Sequence, residues 1–340
     1  MNILITGGGT GGHLSIAKAI KEELNNRGLK PIFVGSLYGQ DRDWFENDDG
    51  FLEKFFFNTG GVVNKKGFKK LTSLLNIFKY SLKCKDIFKK YNIDAVFSVG
   101  GYSAAPASFG SLFFKKPLYI HEQNAQMGTL NKLLKPYAKA VFSSYEDDSP
   151  IKDYPVREIF FQNARVRDQI KTIIFLGGSQ GAKAINDFAM KVAPILKQKK
   201  INIIHQSGKR DFQRLKEFYE KNEIEVDLFD FSKNLEEKIK KADFAVSRSG
   251  ASTMWELVAS MLPALFVPYP YAAKDHQYYN ALFLKEKGLC FLKREQELNE
   301  DVIFEILNKD ISKMSLGLKD QIKPNGAKRI VDFIFSDLKD

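Results

Sequence analysis

The sequence predicts an α/β fold made of two Rossmann-like, doubly wound parallel-sheet domains that face a cleft. Three observations predict it. The 340 residues exceed the length at which a single hydrophobic core usually divides into domains. Short apolar runs alternate with longer segments of helical period or polar character. A strand, a glycine-rich turn and a helix start follow one another near the first residue, and again about half a chain later.

The short apolar runs are the predicted strands. In the first half they span residues 2–6, 31–34, 95–99, 117–120 and 140–142. In the second half they span residues 172–176, 201–205, 226–229, 244–247 and 264–267. Continuous runs of this length are typical of parallel strands covered on both faces. Two prolines interrupt the pattern between Ser149 and Arg165, so we expect domains at 1–155 and 156–325, followed by a segment of helical period at 326–340.

Composition excludes several protein classes. The two cysteines, Cys84 and Cys290, lie far apart, which disfavours a disulfide framework and fits a reducing cytoplasm. The start of the chain lacks a basic segment followed by an apolar core, and no apolar run approaches the roughly 18 residues of a spanning helix. We therefore expect a soluble or peripheral protein without a signal peptide.

Positive charge is concentrated in one segment. The formal net charge is +11, and residues 53–90 hold ten lysines against two acids, interleaved with phenylalanine and leucine. Two interpretations stand: a solvated helix face whose apolar side lies in the core, and a surface that binds anionic lipid headgroups. Nucleic acid is disfavoured, because no recognition-helix, zinc or RNA-binding motif accompanies the charge.

The stretch GGGTGGH at residues 7–13 follows the first predicted strand. Its glycines satisfy G-x-G-x-x-G, but a dinucleotide site also needs an acid at the end of the second strand, where residues 35–37 are Gly, Ser and Leu. This disfavours NAD, while Arg42 leaves NADP open. The loop otherwise lets a molecule approach the backbone at a helix N-terminus. His13 there is either a structural hydrogen-bonding residue or a general base.

Later turns have the features of a sugar-nucleotide site. Residues 177–182 (GGSQGA) can bind a diphosphate through backbone N–H groups and Ser179, unless the glycines serve only strand-to-helix packing. The turn at 247–253 leads into a helix with Glu256, whose carboxylate either accepts both ribose hydroxyls or only complements the helix dipole. Amide, imidazole and carboxylate groups at 275–281 suit a polyol.

Eight motifs occur in one order along the chain: GGGTGGH (7–13), GGY (100–102), HEQNA (121–125), PVR (155–157), GGSQGA (177–182), RSGAST (248–253) with Glu256, LPALFVPYP (262–270) and HQYYNA (276–281). In order and spacing they resemble the MurG family, the UDP-N-acetylglucosamine:undecaprenyl-diphospho-muramoyl-pentapeptide N-acetylglucosaminyltransferases of bacterial cell-wall synthesis. The resemblance covers nearly the whole chain. It implies a GT-B architecture, with the donor held mainly by the C-terminal domain and the lipid acceptor by the N-terminal domain.

The resemblance also implies the reaction. It is an inverting, metal-independent transfer of GlcNAc from UDP-GlcNAc to the C4 hydroxyl of the muramoyl sugar of lipid I, which forms lipid II and UDP. UDP-GlcNAc is then a substrate, and neither a cofactor nor a metal site is expected. The implied location is the cytoplasmic face of the cell membrane, with an anionic membrane surface and cell-wall or division proteins as partners. The segment 326–340 is expected to pack back on the N-terminal domain.

By position, the resemblance assigns the site residues. The implied donor-binding set is Thr10, Gly11, Gly12, Asn124, Arg157, Ser179, Gln180, Ser232, Glu256, His276 and Gln277. Within it, Ser232 falls where the family contacts uracil, Glu256 is the ribose ligand and His276 lies near the sugar. His13 is the expected general base and Glu122 its rival.

Two other functions stay open. A nonhydrolysing UDP-GlcNAc 2-epimerase shares the two-domain fold and the nucleotide, but it needs further acids and histidines in the cleft, and this chain has only four histidines. A noncatalytic UDP-sugar sensor would keep Glu256 and Ser179 and would need no base.

Overall fold

The computed structural model describes residues 1–62, 66–178, 181–232 and 234–339. The chain divides into two compact units: Met1–Val156 together with Asn325–Asp340 form unit 1, and Arg157–Pro324 form unit 2. Each unit is built on one parallel sheet with flanking helices. The predicted α/β class of two doubly wound domains is confirmed.

Unit 1 contains, among its described residues, a six-stranded sheet of order β3-β2-β1-β4-β5-β6 in which every pair is parallel. Its strands are β1 (Ile3–Thr6), β2 (Ile32–Ser36), β3 (Glu53–Phe57), β4 (Ala95–Ser98), β5 (Leu118–Glu122) and β6 (Ala140–Ser143). The first five helices of unit 1 are α1 (Gly11–Asn26), α2 (Asp41–Phe45), α3 (Gly67–Lys90), α4 (Ala105–Phe113) and α5 (Thr129–Leu134). Leu4 lies between Ile32 and Val96 in register, and all three are buried in the core.

Unit 2 repeats this plan. Its described residues form a six-stranded parallel sheet of order β12-β11-β10-β7-β8-β9. The strands are β7 (Thr172–Leu176), β8 (Asn202–Gln206), β9 (Asp227–Phe229), β10 (Phe244–Ser247), β11 (Ala264–Phe266) and β12 (Phe291–Leu292). The helices are α6 (Glu158–Gln162), α7 (Lys183–Gln198), α8 (Phe212–Lys221), α9 (Leu235–Lys241), α10 (Ala251–Ala259), α11 (His276–Glu286), α12 (Glu300–Leu307) and α13 (Ser312–Leu318).

The last helix, α14 (Gly326–Asp337), belongs to unit 1. Asp332 pairs with Arg27 of α1 at 2.7 Å, and Asp337 accepts a hydrogen bond from the Tyr119 hydroxyl at 2.5 Å. Ile330 and Ile334 of α14 are buried. Single-turn 3₁₀ helices lie at Tyr102–Ala104, Lys135–Tyr137, Ala273–Asp275, Glu295–Glu297 and Lys319–Gln321.

The strand order reverses at one place in each sheet, between β1 and β4 in unit 1 and between β7 and β10 in unit 2. Connections leave such a switch point in opposite directions, which opens a crevice beyond the carboxyl ends of the two strands. The glycine-rich residues 7–12 follow β1, and Gly100 and Gly101 follow β4. Residues 177–178 follow β7, and residues 248–250 follow β10. The fold thus places each predicted glycine turn at a ligand-binding crevice.

Two strands were not among the predicted apolar runs. Strand β3 lies at one edge of its sheet, and only its last residue, Phe57, is buried. Its first two residues are charged. Strand β12 lies at an edge and has two residues. An edge strand needs less apolar surface than a central one, so its sequence can lack the continuous apolar run that marks a buried strand.

Helix α3 carries an exposed apolar face, which we define as Phe68, Leu71, Leu74, Leu75, Phe78 and Leu82. Phe68 is 78% exposed and Leu75 is 58% exposed. Over this stretch the buried side of the helix consists of the small residues Ser73 and Ser81. The interpretation of the lysine-rich segment as a helix with its apolar side in the core is therefore wrong for most of α3. It holds only near the end of the helix, where Ile87 and Phe88 are buried.

Two further properties concern the whole chain. Across the described ranges, every helix is too short or too polar to cross a membrane. Both cysteines are buried thiols, and burial raises the pKa of each to about 12.

Candidate active site

The glycine loop of unit 1 is shaped by two close backbone approaches. Gly7 and Gly9 have φ values of 122° and 84°, a region that side chains beyond glycine rarely adopt. The Gly8 N–H donates to the Gly100 carbonyl at 3.2 Å, and a Cβ on Gly101 would overlap the Gly8 carbonyl oxygen. The GGGTGGH and GGY motifs therefore pack backbone against backbone, which explains why both need glycine.

The Asp41 side chain holds the glycine loop in place. Its carboxylate accepts hydrogen bonds from the Gly9 N–H at 2.5 Å and from the Ser36 N–H at 2.8 Å. Asp41 is fully buried, and burial raises the pKa of its carboxyl group against the opposing effect of these bonds. A side chain at Gly8 would collide with this carboxylate. Sequence reasoning missed Asp41, although it is an acid only five residues beyond the end of β2.

The position of Asp41 also bears on the dinucleotide interpretation. The acid of a dinucleotide site must present its oxygens to a ribose, whereas both Asp41 oxygens accept from the protein backbone. Arg42, which left NADP open, points its guanidinium at Glu46 one turn further on. Neither residue is arranged for a dinucleotide ribose.

His13 lies in the first turn of α1, directly after the loop. Its Nδ1 is 2.9 Å from the Thr10 hydroxyl, and because a hydroxyl can donate or accept, this bond supports either imidazole tautomer. His121, at the end of β5, is buried, and burial together with the nearby His13 lowers its pKa to about 3. His121 is therefore neutral near pH 7, and His13 is the more exposed imidazole of the two.

Glu122 follows His121 and is also buried. Its carboxylate accepts hydrogen bonds from the backbone N–H groups of Asn124 and Gly128 and from the Asn131 side-chain amide, each at 2.9 Å. Burial raises its pKa, while these donors lower it. Glu122 thus organises the loop that carries Asn124. This loop approaches the glycine loop, since a Cβ on Gly12 would lie 3.0 Å from the Gln123 side-chain oxygen.

In unit 2 the turn after β7 has the predicted glycine geometry. Gly178 and Gly181 have φ values of 74° and 76°. A Cβ on Gly181 would lie 2.6 Å from the Ser207 carbonyl oxygen, whereas one on Gly178 would meet open space. Gly181 is therefore required for packing, and Gly178 for its backbone conformation. Ser179 and Gln180, both predicted donor ligands, lie outside the described residues.

A charged cluster lies beyond β10. The Arg157 guanidinium donates to the Glu236 carboxylate at 2.9 Å. Glu256, on α10, is partly buried, and burial raises its pKa to about 7, with Arg157 opposing and Glu236 reinforcing the shift. The structure thus brings together the predicted residues Arg157 and Glu256, and it adds Glu236. Sequence reasoning missed Glu236 because it belongs to no motif and lies on the short helix α9.

The remaining predicted donor residues occupy two loops of unit 2. Gln277, in the first turn of α11, accepts a hydrogen bond from the Tyr269 backbone N–H at 3.0 Å. His276 Nδ1 is 2.9 Å from the Ala273 carbonyl. Ser232 follows β9, and its hydroxyl accepts from the Asn234 backbone N–H at 3.1 Å. These contacts shape loops at the carboxyl edge of the sheet, where a ligand of unit 2 would bind.

No three His, Cys, Asp or Glu side chains among the described residues converge in a way that would hold a metal ion.

Comparison with known families matches both halves of the chain. Residues 3–143 match the glycosyltransferase family 28 N-terminal domain, and residues 172–333 match the glycosyltransferase family 28 C-terminal domain.

Individual relatives match over nearly their full length. A Wolinella succinogenes protein is 53% identical over 99% of this chain and 100% of its own. A Sulfurovum protein is 51% identical over 98% of both chains. Both are named UDP-N-acetylglucosamine–N-acetylmuramyl-(pentapeptide) pyrophosphoryl-undecaprenol N-acetylglucosamine transferase. Among solved structures, MurG of Acinetobacter baumannii superimposes with a TM-score of 0.79 at 26% identity, covering 98% of this chain and 99% of that one.

Proposed function

Because this chain belongs to the MurG family of glycosyltransferases, we propose that it transfers N-acetylglucosamine from UDP-GlcNAc to the muramoyl sugar of the lipid-linked peptidoglycan precursor, lipid I. The observation that carries the proposal is the pair of glycine turns, each at the switch point of its own sheet. One turn is followed by His13, a candidate base, and the other unit supplies Arg157 and Glu256, which suit a nucleotide.

The proposed chemistry is a single displacement. The C4 hydroxyl oxygen of the acceptor forms a bond to the anomeric carbon of GlcNAc while the bond from that carbon to the β-phosphate oxygen breaks. The electron pair of the breaking bond leaves with UDP, and the hydroxyl proton passes to the base. One displacement inverts the anomeric configuration and yields lipid II. The transition state therefore needs a base on one side and stabilisation of the diphosphate on the other.

His13 is the proposed base. An imidazole has its ordinary pKa close to neutrality, and His13 is partly exposed next to the glycine loop. Glu122 is the weaker candidate, because each of its bonds at 2.9 Å uses the ionised carboxylate as acceptor. Protonation of Glu122 would set an O–H group against one of those donors. We therefore give Glu122 a positioning role for the loop that holds Asn124.

The leaving diphosphate would bind at the turn after β7, at the N-terminal end of α7, where backbone N–H groups and the helix dipole favour an anion. Arg157 adds a positive charge that Glu236 holds in place. We propose that these groups suffice without a metal ion. The proposed donor ligands are Thr10, Gly11, Gly12, Asn124, Arg157, Ser179, Gln180, Ser232, Glu256, His276 and Gln277.

We also propose that the enzyme works as a peripheral protein at the cytoplasmic face of the membrane, docked through the exposed apolar face of α3. Lysines lie close to that face, including Lys66 and Lys70 at the start of the helix. Basic residues beside exposed apolar ones combine attraction to anionic lipids with insertion of side chains. The polyprenyl chain of the proposed acceptor requires such a location.

Incubation with UDP-GlcNAc and a lipid I analogue tests the function. We expect release of UDP together with formation of the GlcNAc-muramoyl disaccharide, and no loss of rate in EDTA. Formation of UDP-ManNAc would indicate the epimerase instead, and binding of UDP-GlcNAc without turnover would indicate a sensor.

The variant His13→Ala should bind UDP-GlcNAc normally but lose about 10²–10⁴-fold in kcat. Normal turnover of that variant would contradict the assignment of the base while leaving the reaction intact.

A further inference from the structure

Unit 1 contains a cavity of about 360 Å³ that no step of the proposed mechanism uses. Residues that line it include Tyr38, Asn58, Gly61, Lys69, Thr72 and Asn76. Tyr38 follows β2 and Asn58 follows β3, so the cavity lies beyond the carboxyl ends of two parallel strands. That edge is where open α/β sheets bind ligands.

The lining has a definite chemical character. The lining residues carry side-chain amides (Asn58 and Asn76), hydroxyls (Tyr38 and Thr72) and one cation (Lys69). The Thr72 hydroxyl donates to the Lys69 carbonyl at 3.1 Å, so its oxygen is left to accept. Among the described residues that line the cavity there is no carboxylate. Lys69 is the third residue of α3, so the N-terminus of that helix adds to the attraction for a single anionic group. Neutral amides and hydroxyls with one ammonium match a peptide, whose N–H and C=O groups need both donors and acceptors and whose C-terminus is a carboxylate.

Helix α3 links this cavity to the proposed membrane surface. Lys69, Thr72 and Asn76 are spaced by three and four residues, so they share one side of the helix. Phe68 and Leu75, on the exposed apolar face, precede two of them by one position and therefore lie about 100° around the helix. One helix thus presents a polar side to the cavity and an apolar side to solvent.

A single aromatic ring links the cavity to the glycine loop. A Cβ on Gly61, which lines the cavity, would lie 3.9 Å from Cδ1 of Tyr102. A Cβ on Gly9 would lie 2.6 Å from Cε1 of the same ring. The cavity therefore neighbours the loop that leads into His13.

We propose that this cavity binds the carboxylate-bearing peptide of the lipid-linked acceptor. The inference rests on the proposed function, since it needs an acceptor with a lipid, a sugar and a peptide. The relatives' names include a pentapeptide on the muramyl group. With the lipid at the apolar face of α3 and the sugar beside His13, the peptide lies in the cavity between them, and Lys69 pairs with a peptide carboxylate.

The test compares two short-chain acceptors, used without vesicles so that membrane binding does not contribute. One carries the pentapeptide, and the other ends at the lactoyl carboxylate of the muramoyl group. We expect the wild-type enzyme to show a higher KM for the peptide-free acceptor. The double variant Lys69→Gln, Asn76→Ala should raise KM about tenfold for the peptide-bearing acceptor only. Its kcat and its KM for UDP-GlcNAc should stay unchanged.

Lys83→Gln is the matched control, because it removes one lysine charge from the same helix at a position that does not line the cavity. It should leave both acceptor KM values unchanged. Equal increases in KM for the two acceptors in the double variant would overturn the proposal and assign the cavity to the pyrophosphate or the sugar. No change for either acceptor would also overturn it. A wild-type enzyme inactive on both acceptors would instead contradict the proposed function.

Discussion

A single buried carboxylate, that of Asp41, determines the shape of the loop before His13. Its two oxygens bind one N–H group each, at Gly9 and at Ser36. Because an unpaired buried donor is costly, these bonds hold the end of β2 and the glycine loop in one arrangement. Asp41 is thus a positioning residue for the proposed base.

The variant Asp41→Asn should separate this role from simple charge loss. An amide offers one acceptor oxygen and would set its NH₂ group against a backbone N–H, so we expect a loss of about 1–3 kcal/mol in the free energy of unfolding. The kcat should also fall, with the KM for UDP-GlcNAc little changed. Unfolding by urea and steady-state kinetics measure both effects. Asp43→Asn, an exposed change on the same short helix, is the control, and equal behaviour of the two variants would contradict the role.

The raised pKa of Glu256 predicts that the binding of UDP-GlcNAc depends on pH. Burial raises its pKa to about 7, so the carboxyl group is mostly protonated below that pH and ionised above it. Only the ionised form can accept hydrogen bonds from both ribose hydroxyls without a competing proton. The affinity for UDP-GlcNAc, measured by calorimetry without acceptor, should therefore weaken as pH falls below about 7, approaching tenfold per pH unit. Glu256→Gln should bind weakly and without this dependence, and a flat wild-type profile between about pH 5.5 and 7 would contradict the assignment.

At the scale of elements, the composition of α3 can be read from the sequence, but the exposure of its apolar residues depends on the tertiary structure. The lysine-rich segment is visible in the sequence, and so are its phenylalanines and leucines. Whether the apolar residues face the core depends on what packs against the helix. Here α4 packs closely against α3. A Cβ on Gly110 of α4 would lie only 2.9 Å from the Cβ of Cys84 on α3. As far as Leu82, the small residues Ser73 and Ser81 take the buried side and the large apolar residues of the exposed face remain outside.

Vesicle binding tests this face. Replacing Lys65, Lys66, Lys69 and Lys70 by glutamine should weaken partitioning onto anionic vesicles by roughly fivefold per lysine at low salt, and less at high salt. Lys65 lies outside the described residues and is included on sequence alone. A matched set of exposed lysines in unit 2, which should have no such effect, is Lys191, Lys199, Lys209 and Lys216. If the variant in the α3 segment binds anionic vesicles as well as the wild-type protein does, the lysine-rich side of α3 is an ordinary solvent-exposed surface.

At the scale of the whole molecule, the end of the chain completes the unit that its beginning starts. Helix α14 packs on α1, and the ring of its Phe333 also lies 5.5 Å from the ring of Phe142 on β6. The Arg329 guanidinium pairs with Asp153 at 2.6 Å. Unit 1 therefore depends on residues about 300 positions apart, such as Arg27 and Asp332.

Ile330→Ala should destabilise unit 1. Its side chain is fully buried, and truncation of a buried isoleucine typically costs about 2–5 kcal/mol. Hydrogen exchange followed by mass spectrometry should increase in α1 and β1, while β7 of unit 2 keeps its protection. Ser336→Ala, an exposed change on the same helix, should alter neither. Unchanged exchange in α1 of the first variant would show that α14 is dispensable for unit 1.

The amino-acid sequence alone determined the fold class, the central strands and the family. Central parallel strands are buried on both faces, so they need continuous apolar runs, and glycine turns need glycines at fixed offsets; both requirements are local and can be read along the chain. Tertiary structure decided what depends on distant neighbours. It set the edge strand β3, the exposure of the apolar face of α3 and the salt bridge between Arg157 and Glu236. It also set the burial of Asp41, because burial and pairing arise only when remote segments meet.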